Sequence, residues 1–355
     1  MKFLSFIVLA ILFANLVSGQ TQTCTCESNF EWVKETFEEN DAGFQYIIDK
    51  KGQRAYDIHN QLTIEKIRTA DALTECTKLI YEWLSFFRSG YIRIQLLTNE
   101  TSTSHNVAQP EQNSETPFME ELNMTTLYLR IPSFEYEYKS AIDTLLVQNK
   151  DKILKTENLI IDLRNNGGGD DGSFQELIPF LYTNPIRAVA VEFLSTALNN
   201  QQIWKHSTNP DFDEDTRNWA KNIYDQLQER LGNSVNPFGE SVFTYQQDVV
   251  YEYPKNVGII INEENASTTE QFLLTAKQSK KVKLFGVTTH GALDISNMNS
   301  VVSPCEEFQL WYAMSRSLRI PNMTVDDIGV QPDFYLDKNI PQDKWVEFVN
   351  EILNR

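Results

Sequence analysis

The sequence predicts an α/β fold with an N-terminal helical subdomain, and three observations carry that expectation. From Thr126 onward, short apolar runs alternate with stretches of helical period. Two of the runs, Leu159-Ile160-Ile161 and Val257 to Ile261, are apolar without alternation, as in strands covered on both faces of a sheet. Between Asn29 and Arg88 the pattern is helical throughout.

The chain has 355 residues, of which 41% are hydrophobic, enough for one large domain plus a smaller one with packed cores. Its formal net charge of −18 excludes a nucleic-acid partner, which needs a basic footprint, and an anionic membrane surface. The N-terminus, MKFLSFIVLAILFANLVSGQ, combines Lys2, an apolar run from Phe3 to Leu16 and the small residues Val17-Ser18-Gly19. That is the pattern of a secretory signal covering residues 1–19, and it predicts a secreted or periplasmic protein. No other segment is long and apolar enough to span a membrane. Cys24, Cys26, Cys76 and Cys305 are able to pair in an exported chain, and Cys24 and Cys26 are too close to bridge each other easily. At least one bridge to Cys76 or Cys305 is therefore expected.

The helical subdomain is assigned to residues 20–98. Asp71 is an N-cap candidate ahead of Cys76, Leu79, Ile80, Trp83, Phe86 and Phe87 at helical spacing, and Ser89-Gly90 ends that helix. Tyr91 to Leu96 alternates as a strand. Residues 99–117 are polar and turn-rich, and are expected to form a loop or linker. The main domain is assigned to residues 118–355. Its expected elements are strand TLYLRI, a helix over Tyr138–Ile153, strand NLIIDL, a helix from Ser173 and strand AVAVEF. A polar helical insertion from Asn199 to Leu231 follows, then strand VGIII, a helix near Ser267, strands VKLFG and FQLWYAM, and a helix near Gln342.

Two strand-to-helix junctions draw chemical interest. After NLIIDL the chain reads RNNGGGDDG, where glycine lets backbone N–H groups approach a ligand or a reacting atom. Gly167, Gly169 and Gly172 satisfy the dinucleotide pattern G-x-G-x-x-G, but Asp170 and Asp171 would repel a pyrophosphate lying there. After VGIII the chain reads NEENASTTEQF. Ser267 followed by Glu270 fits a capping box, a purely structural role. The same helix N-terminus also offers free N–H donors and a field that suits a nucleophile.

LIIDLRNNGGG, followed by VGIIINEENASTTEQF, VKLFGVTTHG and the closing DDIGVQPDFYLD, resembles the C-terminal processing, or tail-specific, serine proteases. The broader family includes the tricorn core protease and the interphotoreceptor retinoid-binding proteins. The helical start and FFRSGYIRI resemble its secreted bacterial branch, and no stretch resembles the PDZ module of many relatives. The resemblance implies a crotonase/ClpP-like catalytic-type domain and hydrolysis of peptides or unfolded proteins through an acyl-enzyme on Ser267. It implies no metal and no organic cofactor. Gly167 or Gly168 and the amide of Thr268 would form the oxyanion hole, whose donors are worth roughly 3–4 kcal/mol each in such sites. The base departs from the family. Ala292 stands where one branch has a lysine, and Tyr91 where another has a histidine. Asp326, beside Asp327, matches the family's orienting acid. His290 is the nearest substitute base, and His105 lies in the polar loop. His59 and His206 complete the histidines. Without a base the alternative is an inactive relative that binds peptides or an apolar ligand in the same cleft. Sequons at Asn99, Asn123, Asn265 and Asn322 match glycan acceptors, and a glycan on Asn265 would crowd Ser267.

Overall fold

The structure is a computed structural model that describes residues 24–70, 72–97 and 116–355. The signal, Asp71, His105, the Asn99 sequon and nearly all of the 99–117 segment lie outside the described residues.

Four helices open the chain: α1 (Cys26–Asn40), α2 (Phe44–Lys51), α3 (Gln53–Ile67) and α4 (Leu73–Leu84). Strands β1 (Arg93–Leu96), β2 (Phe118–Asn123) and β3 (Thr126–Arg130) follow, then α5 (Tyr136–Ile153) and β4 (Asn158–Asp162). The helix expected from Ser173 is instead a 3-10 turn over Asp171–Leu177 that leads into the short α6 (Ile178–Leu181). Pro179, at the start of α6, has no N–H to continue a longer helix from upstream. AVAVEF, expected as one strand, breaks at Ala190 into β5 (Ile186–Val189) and β6 (Val191–Leu194), which join different sheets. Helices α7 (Ala197–Thr208) and α8 (Glu214–Gln228) form the polar insertion, and the short β7 (Ser234–Val235) and β8 (Val242–Tyr245) close it. The remaining elements are β9 (Asn256–Ile261), α9 (Thr268–Ala276), β10 (Val282–Gly286), β11 (Ile295–Val302), β12 (Phe308–Ser317), β13 (Phe334–Tyr335) and α10 (Trp345–Leu353).

A six-stranded sheet in the order β13-β10-β9-β4-β3-β2 forms the centre, parallel except at its β2 edge. The apolar strands alternate across it. Leu127, Leu129, Leu159, Ile161, Val257 and Ile259 face a core with Ile142 of α5, Phe174 and Phe272. Tyr128, Ile160, Ile260 and Phe285 face Trp345 and Val349 of α10. Gly258 makes that second layer possible, since a Cβ there would lie 2.7 Å from Val349 Cγ1. A sheet covered on both faces explains why β4 and β9 read as apolar runs.

The second sheet is antiparallel and built on the long β12, which pairs with β11 along one edge and with β1 and then β6 along the other. It shares one core with the N-terminal helices, where Trp83 packs edge-on against Phe30, Phe37 and Phe87 at 5.0–5.9 Å between ring centres. The helices therefore do not close a core of their own. Two disulfides tie them down, Cys24–Cys305 and Cys26–Cys76, so both partners expected for the N-terminal cysteines are used.

Candidate active site

The two junctions singled out in the sequence meet at the C-terminal ends of β4 and β9. Ser267 lies between strand and helix with φ 57° and ψ −127°, a conformation an L-residue adopts only when its surroundings impose it. Its N–H donates to the Ala292 carbonyl at 2.8 Å, and its own carbonyl accepts from Gln271 N at 2.9 Å. The capping box expected for Ser267 and Glu270 is not formed, because the Ser267 side chain caps nothing. The Glu270 carboxylate turns away to accept from the Thr289 hydroxyl and from the amides of Gly291 and Ala292 at 2.8 and 2.9 Å. It is buried, which pushes its pKa up, and these three donors oppose that push. Glu270 thus fixes the segment whose Ala292 carbonyl holds Ser267.

The glycine loop packs directly on this turn. A Cβ on Gly168, whose φ is +110°, would lie 2.7 Å from Ser267 Cβ and 2.9 Å from the Ala266 carbonyl. Gly169 lies against the Phe134 and Glu135 backbone, where a Cβ would come within 2.2 Å. The Thr268 hydroxyl donates to the Gly169 carbonyl at 2.8 Å, and the Thr269 hydroxyl donates to Asn166 Oδ1 at 2.8 Å. Gly168 and Gly169 thus serve close backbone packing against Ser267 and Phe134. Of the expected oxyanion donors, Gly168 N–H is bonded to Asn166 Oδ1 at 3.1 Å. Gly167 has room around it, with no atom nearer than the Glu264 carbonyl at 4.0 Å from a Cβ. Thr268 is the first residue of α9, where N–H groups have no partner within the helix.

Asn265 is fully buried, and its amide donates to the carbonyls of Leu163 and Asn166, so this sequon is closed to a glycan.

Tyr91 enters the cleft from the other sheet. Its φ of 55° places it in a turn before β1 rather than in the strand itself. Arg88 sets that turn: it is bound by Asp41 through both terminal nitrogens and donates to the carbonyls of Gly90 at 3.0 Å and Tyr91 at 3.2 Å. Gly90 in turn touches Ala292, where a Cβ would come within 2.7 Å. The two positions expected to hold a base are therefore neighbours. The Tyr91 hydroxyl is buried and faces Ser267, yet no bond of good geometry satisfies it among the described residues. Ser267 lowers its pKa, but burial raises it more, and Asp326, Glu270 and Asp171 raise it further. The phenol stays protonated at any physiological pH.

Asp326 accepts from the amides of Leu293 at 2.6 Å, Asp294 at 2.7 Å and Ile295 at 3.2 Å, so its oxygens clamp backbone although it lies within electrostatic range of Tyr91. Burial raises its pKa against those amides. Asp327 accepts from the Ser89 hydroxyl at 3.2 Å. The His290 side chain is exposed; its backbone N–H donates to the Asn265 carbonyl, and no side-chain bond joins it to Ser267 among the described residues. His59 stacks on Phe86, and His206 contacts Gln202 on α7. Sequence reasoning gave Glu270 only a capping role and did not foresee the Asp41–Arg88 pair.

A model of peptidase family S41 matches residues 125–336. The chain belongs to peptidase family S41. Both junctions and the Asp326 segment fall inside the match, and Tyr91 falls outside it. No curated protein sequence matches the chain. Among solved structures, mature CPAF complexed with lactacystin is similar with a TM-score of 0.64 at 11% identity, covering 93% of this chain and 97% of that one. A candidate peptidase from Parabacteroides merdae ATCC 43184 has a TM-score of 0.60 at 13% identity, covering 94% and 98%. The photosystem II D1 C-terminal processing protease has a TM-score of 0.50 at 11% identity, again covering 94% and 98%. At such identities the likeness is one of fold. It extends over the helical start as well as the S41 region.

Proposed function

We propose that this S41 protein is an exported serine peptidase that opens peptide bonds in peptides or unfolded proteins through an acyl-enzyme on Ser267. The observation that carries the reading is the Ser267 turn: positive φ, the Gly168 backbone against it and the first amide of α9 beside it. A strained strand-to-helix turn of this kind presents a serine oxygen to a cleft while leaving N–H groups free to receive charge. Ser267 Oγ attacks the scissile carbonyl, and the oxygen that becomes negative faces the amides of Thr268 and Gly167. Collapse expels the amine, and water then cleaves the ester. Export is supported by the leader sequence and by two disulfides, which persist in oxidising compartments.

The second reading, a relative that binds peptides without cleaving them, is favoured by one observation. Tyr91 occupies the place of the family histidine and holds its proton too tightly to serve as a base. Treatment of the mature protein with a fluorophosphonate probe, followed by peptide mapping, separates the two. Labelling at Ser267 that vanishes in Ser267→Ala, with turnover of an unfolded protein substrate, is expected. Unlabelled protein that still binds that substrate would establish the binding reading.

A further inference from the structure

We propose that the α7–α8 hairpin is a strap across the Ser267 cleft, latched where Phe212 at its tip meets Tyr136 of α5, and that it must lift to admit a polypeptide. The inference rests on the peptidase reading above and adds the element that controls access to the serine.

The two ends of the hairpin are tied to opposite sides of the cleft. Its base belongs to the antiparallel sheet. The Thr196 hydroxyl donates to Asn40 Oδ1 at 2.6 Å, and the Asn199 amide donates to the Asn40 carbonyl at 2.9 Å. Asn40 directly precedes Asp41, which binds the Arg88 that holds the Tyr91 turn. Ile203, Ala220, Ile223 and Leu227 bury the same end in the core that this sheet shares with the N-terminal helices. The tip reaches the layer of the six-stranded sheet instead. There the Phe212 ring meets the Tyr136 ring edge to face, at 6.1 Å between centres. Tyr136 lies two residues after Phe134, which is bonded to the glycine loop through its backbone. The Phe134 N–H donates to the Gly168 carbonyl at 3.1 Å, and its carbonyl accepts from Asp170 N at 2.8 Å. The hairpin therefore runs from the Tyr91 side of Ser267 to the glycine-loop side, a span covered by α7, whose 12 residues rise about 18 Å.

The distal half of the hairpin is built to move. From Trp204 to Trp219 no residue is buried, whereas the stretches on either side enter the core. Segments with so few buried contacts open at low free energy. The tip nevertheless keeps its own shape. Asn209 Oδ1 accepts from Asp211 N at 3.0 Å, Asp213 caps α8 by accepting from Thr216 N at 2.7 Å, and the Phe212 carbonyl accepts from the Arg217 guanidinium. His206 packs edge-on against Phe212 at 5.7 Å, so the ring is oriented from within the hairpin. An aromatic pair such as Phe212–Tyr136 favours the closed arrangement by roughly 2- to 13-fold. That bias keeps the strap down in the free protein and yields to an entering chain.

The test measures how fast the unfolded chain of β-casein associates with Ser267→Ala protein, which cannot turn it over. Added to that background, Phe212→Ala and Tyr136→Ala should each speed association by up to roughly tenfold, because the closed state loses its bias. Phe212→Cys joined to Tyr136→Cys by bismaleimidoethane holds the strap down, and association should slow by at least roughly tenfold relative to the same protein before joining. Diisopropyl fluorophosphate is small enough to pass a closed strap, so its labelling of Ser267 should be unchanged in Phe212→Ala. Alanine variants that associate at the background rate would overturn the strap, and they need no added cysteine to do so. A cross-linked form that takes up β-casein at the unjoined rate would overturn it too. Both results leave the peptidase reading intact, because labelling of Ser267 decides that separately. A Ser267 that the fluorophosphate never labels, in protein whose cross-linked form still excludes β-casein, would overturn the peptidase reading and keep the strap.

Discussion

At position 168 the backbone has room for a hydrogen atom and nothing larger. A methyl group there would meet Ser267 Cβ, the Ala266 carbonyl and the Thr268 amide within 3.1 Å, two of them backbone atoms that cannot swing aside. The φ of +110° adds strain of its own, on the order of 1–3 kcal/mol for a non-glycine residue. Gly168→Ala should therefore lower the melting temperature and displace Ser267, with loss of fluorophosphonate labelling. Gly167→Ala is the contrast, because its nearest neighbour would be 4.0 Å away and its φ is ordinary. Its melting temperature should match the wild type. If both variants melt alike, the close approach of the loop to Ser267 is wrong. The sequence showed that glycines mattered here. It did not show that three consecutive glycines face different neighbours, which depends on Phe134 and Ser267 arriving from distant parts of the chain.

At the scale of elements, α9 shows how a local motif is overridden. Ser267 and Glu270 have capping-box spacing, and an isolated helix would use it. In the folded chain, three donors from the 289–292 segment compete for the Glu270 carboxylate and win, leaving the serine oxygen in the cleft. Glu270→Gln tests this. A glutamine has one acceptor oxygen where three donors converge, and its NH₂ would face amide donors in a buried site. An unsatisfied buried group costs about 1–3 kcal/mol. The variant should melt lower, and labelling at Ser267 should fall because the Ala292 carbonyl loses its anchor. Labelling and melting at wild-type values would show that the capping box, not this network, holds the turn. The same logic explains which strands were legible. β4 and β9 are buried on both faces and read as apolar runs. β11, ISNMNSVV, is polar at half of its positions because only part of it is covered, and its place beside β12 could not be read from its composition.

At the scale of the whole molecule, Ser267 and Tyr91 are carried by different sheets, so the cleft depends on how those sheets are held together. The chain of contacts is explicit. Cys305, between β11 and β12, is bonded to Cys24 ahead of α1, and Cys26 at the start of α1 is bonded to Cys76 in α4. Asp41, just after α1, accepts from the Ala313 amide of β12 and binds Arg88, which holds the Gly90 and Tyr91 carbonyls. The bridges close loops of 281 and 50 residues. In the loop-entropy model they are worth about 5–6 and about 4 kcal/mol, and losing a native bridge typically costs roughly 2–5 kcal/mol. Reduction with a thiol should lower the melting temperature of the wild type and slow labelling of Ser267, because the Tyr91 turn loosens with α1. Cys24→Ser with Cys305→Ser should reproduce most of the loss of labelling, since that bridge ties α1 to the sheet that carries Tyr91. Cys26→Ser with Cys76→Ser should lower stability with a smaller effect on labelling, because it joins helix to helix. A wild type whose melting temperature and labelling rate are indifferent to reduction would mean that the hydrophobic core around Trp83 and the Asp41–Arg88 pair hold the two halves unaided.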